Sequence, residues 1–124
     1  DMSRAFARFC DNFNEPIGCW DVSSVVSMRM MFAGAMTFNQ PIGNWDVSNV
    51  KDMREMFNVA IAFNQPIGNW DVSNVRYMSC MFNGSLAFNH SIKGWNVSKW
   101  TRFWLLFDGV TNRNSYHETL RKIR

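Results

Sequence analysis

Three aspartates recur at one spacing. Asp21, Asp46 and Asp71 lie 25 residues apart, and each is followed two residues on by a serine: Ser23, Ser48 and Ser73. Asn44 and Asn69 precede the second and third, Cys19 the first, and a fourth unit reads Gly94, Asn96, Ser98. Carboxylates, amides and hydroxyls repeated on one face would form polar ladders able to hold a sugar or a divalent ion. At the ~4.8 Å spacing of paired strands, the carboxylates repel one another unless water, cations or donors relieve them. A plainer use competes, in which each Asp accepts a bond from the Ser/Asn turn after it and the face is merely soluble. The candidate binding residues are Asp21, Asn44, Asp46, Ser48, Asn69, Asp71, Ser73 and Asn96.

Other chemistry is sparse. His90 and His117 stand in unrelated contexts, with no serine or cysteine nucleophile at a recognisable spacing, so no catalytic residue is assigned and no enzyme is expected. Cys10, Cys19 and Cys80 do not follow the repeat and lack the paired spacing of a metal site, so neither metal nor cofactor is expected. Cys10 and Cys19 could pair as a disulfide, but three unrelated thiols is the simpler reading. Asn83-Gly-Ser, Asn89-His-Ser and Asn96-Val-Ser are glycosylation sequons. Asn83 is favoured among them, because Asn89 and Asn96 sit at repeated structural positions.

The elements that position these groups come from the repeat. Phe13, Phe38, Phe63 and Phe88 share the 25-residue spacing, as do Trp20, Trp45, Trp70 and Trp95. The phrase FNQPIGNWDVSNVKDMREM from Phe38 returns as FNQPIGNWDVSNVRYMSCM from Phe63. Such a period marks stacked structural units. Within one unit, Asn-Gln-Pro and Gly43 are turn chemistry. Trp45 and Val47 alternate as in a short strand. Val50, Met53, Met56, Phe57 and Ala60 step by three and four, the stripe of a short helix or 3₁₀ arc. One unit cannot bury its own apolar side, whereas stacked units can. Phe, Trp and Met are therefore assigned to the core, and Asn14, Asn39, Asn64 and Asn89 to a side-chain ladder.

At these residues the chain resembles a known group. Ile-x-x-Trp-x-Val is similar to the LxxLxL core of leucine-rich repeats. The unit FNQPIGNWDVSNVxxMxxMF looks like the repeat of BspA-like surface proteins and mycoplasma-type lipoproteins, over roughly residues 2 to 110. The resemblance implies a leucine-rich-repeat solenoid at the cell surface or outside the cell, associated with adhesion, and no enzymatic activity.

The expected fold is thus an α/β solenoid of about four coils, with a parallel sheet on one face and helical or 3₁₀ arcs on the other. It is one domain: 1–13 a partial coil, 14–110 repeats, and 111–124 a capping segment in which Ser115 to Arg124 forms a helix. The first strand, around Ile17 to Val22, would leave an open edge. Phe6, Phe9, Trp100 and Trp104 are the candidate self-association residues at the two ends. The chain opens on Asp1 rather than Met, so a processed product or fragment is expected. No stretch approaches the ~20 apolar residues of a membrane span. The net charge is only +3 and the repeated phrase carries Asp, so nucleic acid is not an expected partner. Expected partners are a protein or glycan ligand, or the chain itself stacked end to end into a filament. An intracellular scaffold is the weaker alternative.

Overall fold

The computed structural model describes residues 1–7 and 12–102. The described chain is a stack of coils, but its walls differ from the expected ones. Among the described residues none is α-helical, and strand-type pairing is confined to single bridges linking Ser27, Asp52, Tyr77 and Arg102 in parallel. The α/β leucine-rich-repeat solenoid, with its sheet and helical arcs, is therefore not the fold. The proposed capping segment, 111–124, lies outside the described residues, as do Phe9, Cys10 and Trp104.

The arc expected to be helical is instead two fused turns. Met56 N–H closes on Met53 O (3.2 Å) and Ala60 N–H on Phe57 O (3.0 Å). The third residue of each turn has positive φ, Glu55 at 56° and Val59 at 58°, the geometry of a type II turn. Met30, Cys80, Gly34 and Gly84 repeat it at 56°, 57°, 71° and 71°. A helix needs φ near −63° throughout, so these residues forbid one. The apolar spacing of three and four is common to both shapes, because the first and last residues of a turn also share a side.

The backbone polar groups divide strictly. N–H groups of Met53, Glu55, Phe57 and Val59 donate forward to Tyr77, Ser79, Met81 and Asn83 carbonyls at 2.7–3.0 Å. Those of Met56, Asn58 and Ala60 donate within the coil, to Met53, Glu55 and Phe57. The coil before it repeats the scheme, from Met28, Met30, Phe32 and Gly34 to Asp52, Arg54, Met56 and Asn58. A buried coil therefore meets its hydrogen-bonding needs only between two neighbours.

The expected strand is also a turn. Trp45 N–H closes on Ile42 O (3.1 Å) and Val50 N–H on Val47 O (3.0 Å), so neither is available to a sheet. The indoles make the inter-coil bonds there: Trp45, Trp70 and Trp95 Nε1–H donate to Ile17, Ile42 and Ile67 O at 3.1, 3.0 and 2.9 Å. Asn39, Asn64 and Asn89 N–H donate to Oδ1 of Asn14, Asn39 and Asn64, which forms the amide ladder.

Two columns of phenylalanine fill the core. Phe6, Phe32, Phe57 and Phe82 stack at 5.5–5.7 Å. Phe13, Phe38, Phe63 and Phe88 stack at 5.7–6.0 Å. Within each coil the two rings lie 4.1–4.5 Å apart. Each such pair contributes ~0.5–1.5 kcal/mol beyond its buried area. Phe6 joins its column although it lies 26 residues, not 25, before Phe32.

Glycine is required where coils touch most closely. A Cβ on Gly43 would lie 2.5 Å from Pro66 O, and one on Gly18 would lie 2.7 Å from Pro41 O. Val59, between Gly34 and Gly84 in its column, holds a left-handed conformation that suits β-branched residues poorly. Urea unfolding should therefore show Gly43→Ala losing about 1–3 kcal/mol. Val59→Gly should instead gain up to ~1 kcal/mol, relief of strain outweighing the entropy cost of glycine.

Candidate functional site

The aspartate face is built from turns. Asp21, Asp46 and Asp71 each take the N–H of the serine two residues on at 3.0 Å and its hydroxyl at 2.5–2.6 Å, both on Oδ1. The serine hydroxyl, then the serine N–H, holds each carboxyl below its ordinary value. Repulsion from the coil before opposes this at Asp46 and Asp71 and does not overcome it. Asn44 and Asn69 are exposed beside them. Asn96 is exposed too, but Ser98 Oγ there accepts Trp100 N–H (3.2 Å), so the fourth coil lacks the carboxylate turn. Among the described residues no three His, Cys, Asp or Glu side chains gather as a metal site. The Oδ1 atom of each aspartate is thus engaged in its own turn.

The remaining candidates separate. Phe6 is the first rung of its ring column, 4.1 Å from Phe13 and 5.6 Å from Trp20. Trp20 is 42% exposed. Trp100 stands where Val25, Val50 and Val75 are buried, yet it is 68% exposed. The fourth coil closes its turn one residue late, Thr101 N–H on Ser98 O (3.0 Å), so Thr101 turns inward and bonds Val75 O through its hydroxyl (2.7 Å). Of the sequon residues, Ser85 is buried with its hydroxyl on Phe57 O, whereas Asn89 and Asn96 are exposed. His90 Nε2 sits 3.1 Å from Asn64 O, the place Gln40 and Gln65 fill in earlier coils, so it belongs to the ladder corner. His117 lies outside the described residues, and Cys19 is an exposed free thiol.

A small open pocket of about 130 Å³ lies over Gly34, between Met30, Ala33, Asn58 and Val59. Asn58 Oδ1 is buried there without a hydrogen bond, while its Nδ2 donates to Glu55 (3.2 Å). The pocket has the size for a few waters.

One cluster escaped sequence reasoning. Lys51 N–H donates to Val26 O, Arg76 N–H to Lys51 O and Arg102 N–H to Arg76 O, at 2.8, 2.8 and 2.9 Å. Lys51 and Arg76 thus share one column, and Arg102, paired with Tyr77 one place along, sets a third exposed cation on the next coil. The signal was a basic residue after Val50 and after Val75; the delayed turn at Ser98 hides the third member by one place. Nearby, Asp52 is tied to Arg54, whose Nη2 lies 2.6 Å from Oδ2 and whose Nε bonds both oxygens. Burial pushes the Asp52 carboxyl up, but the bonds from Arg54 and its charge outweigh that and leave it below its ordinary value.

No helix among the described residues is long and apolar enough to cross a membrane. Residues 1–119 match the family described as "Mycoplasma protein of unknown function, DUF285", and the chain belongs to that family. No curated protein and no solved structure matches it.

The lowered carboxyls make stability depend on acid. A group whose folded pKa is depressed contributes stability that is present above its unfolded value, about 3.9 for Asp, and lost as pH falls through the folded value. Urea midpoints should therefore hold steady from neutral pH to about 5 and drop below about 4. Asp46→Asn with Asp71→Asn, which keeps an acceptor oxygen but no charge, should shrink the drop. An undiminished drop would place the acid-sensitive groups elsewhere.

Proposed function

We propose that this member of the family is a non-catalytic binding module, displayed at the cell surface or outside the cell, that contacts a protein or glycan ligand. One observation carries the reading. The rings and backbone polar groups of the inner coils are consumed by the stack, while at the corner after the buried Val the exposed side chains on that constant frame differ from coil to coil. Position by position, Val26, Lys51 and Arg76 share one backbone site with three different side chains. A rigid frame with variable exposed side chains suits recognition and offers nothing for bond-making chemistry. The resemblance of the repeat to those of BspA-like surface proteins supports the same reading.

The test is binding of the fluorescently labelled, folded chain to cultured cells and to a glycan array. The reading expects saturable binding by a monomer. No saturable binding to any cell or glycan would count against it.

A second reading, end-to-end assembly into a filament, is favoured by the exposed Trp20 and half-buried Phe6 and Phe13 at the first coil. Glu15 opposes it. The corresponding Gln40 and Gln65 donate Nε2–H back to the preceding coil at 3.0 and 2.9 Å, which a carboxylate cannot do. Light scattering at micromolar concentration should find a monomer, and Glu15→Gln should raise self-association. Fibres from the unaltered chain, abolished by Phe6→Glu, would establish the filament instead.

A further inference from the structure

Lys51 and Arg76 stand on consecutive rungs, which in parallel pairing lie ~4.8 Å apart, and Arg102, whose N–H reaches Arg76 O while the residue pairs with Tyr77, carries a third exposed cation on the next coil, one place along. Like charges stacked so closely oppose folding. None of the three has an acid or ring partner among the described residues. Asp52, next to Lys51 in the chain, is held by Arg54, and Glu55 accepts Asn58 Nδ2. Lys99 adds a fourth exposed cation two residues before Thr101. The aspartate turns occupy a different stretch of each coil, between the Trp and the Val that starts this corner.

We propose that the Lys51–Arg76–Arg102 cluster is a binding site for a sulfated glycan, whose repeated anions would neutralise the neighbouring cations. The proposal rests on the cell-surface binding reading and assigns its ligand class and its face. The exposed rings beside the cluster favour a glycan over a nucleic acid. Arg54 lies 5.0 Å over the Tyr77 ring, and Lys99 Nζ lies 5.1 Å over the Trp100 ring. A cation thus already covers one face of each ring, where base recognition wants an open platform. Charge is what the corner offers, and linear polyanions are recognised by charge.

The experiment is chromatography of the full chain on immobilised heparin, with dextran as the neutral control and the affinity followed against salt. The expected result is retention near physiological salt on heparin and none on dextran. Lys51→Ser/Arg76→Ser/Arg102→Ser should elute early, with the slope of log affinity against log salt reduced by about three. Its urea midpoint should equal or exceed that of the parent, because the substitutions relieve repulsion without touching a backbone bond. Arg4→Ser/Lys93→Glu removes the same net charge at exposed positions on other stretches of the coil and should stay within about twofold of the parent. Three results would overturn the proposal: no retention of the parent, equal loss in the charge-matched control, or displacement by a single-stranded oligonucleotide at least as effective as free heparin. Binding to neutral glycans or to cells with no heparin retention would sink this assignment alone and leave the broader reading standing.

Discussion

Everything in this molecule follows from how its backbone divides its hydrogen bonds. Along Met53 to Ala60, one set of N–H groups closes turns within the coil and the alternate set reaches the next coil. A helix would keep all of them inside and need no neighbour. A sheet would send all of them out and leave the coil flat. The division yields a tightly turning wall that still binds its neighbour at every second residue. A single coil is left with half its polar groups unmet, a cost no isolated 25-residue segment can bear. Coils are therefore stable only as a stack.

The division places the side chains. Fused turns bring Met53, Met56, Phe57 and Ala60 to the inside, although the chain reverses twice among them. Flat stacking at one-coil spacing then favours planar groups above their own kind, which explains two phenylalanine columns with neighbouring rings nearly parallel. The corners that cannot pair through backbone use side chains instead: indole N–H groups on isoleucine carbonyls, asparagine oxygens on asparagine N–H groups. Each device recurs because the geometry recurs. Outside, the aspartate turns repeat as well, whereas the corner at Val26, Lys51 and Arg76 varies.

Much of this was legible in the sequence. The spacing of Phe38 and Phe63 announced stacking units, the repeated Asn announced a ladder, and Asp before Ser announced a turn. The shape of the arc was not legible. Its signal would have been glycine at each left-handed position, but only Gly34 and Gly84 are glycine, while Met30, Glu55, Val59 and Cys80 adopt the same conformation without it. Stacking holds them there against local preference. Two offsets were hidden for a related reason. Phe6 and Thr101 each sit one place out of phase, and alignment by letter cannot see which residue a delayed turn rotates inward. The basic cluster was missed with them, since Arg102 lies past the second offset and pairs with Tyr77.

The central claim is the divided backbone, and it can be read directly by scalar coupling across hydrogen bonds in the isotope-labelled chain. The account predicts couplings from Glu55 N to the Ser79 carbonyl carbon and from Phe57 N to that of Met81, with Ala60 N coupled to Phe57. Coupling of Phe57 N to the Met53 carbonyl carbon, the mark of a helical turn, would contradict it.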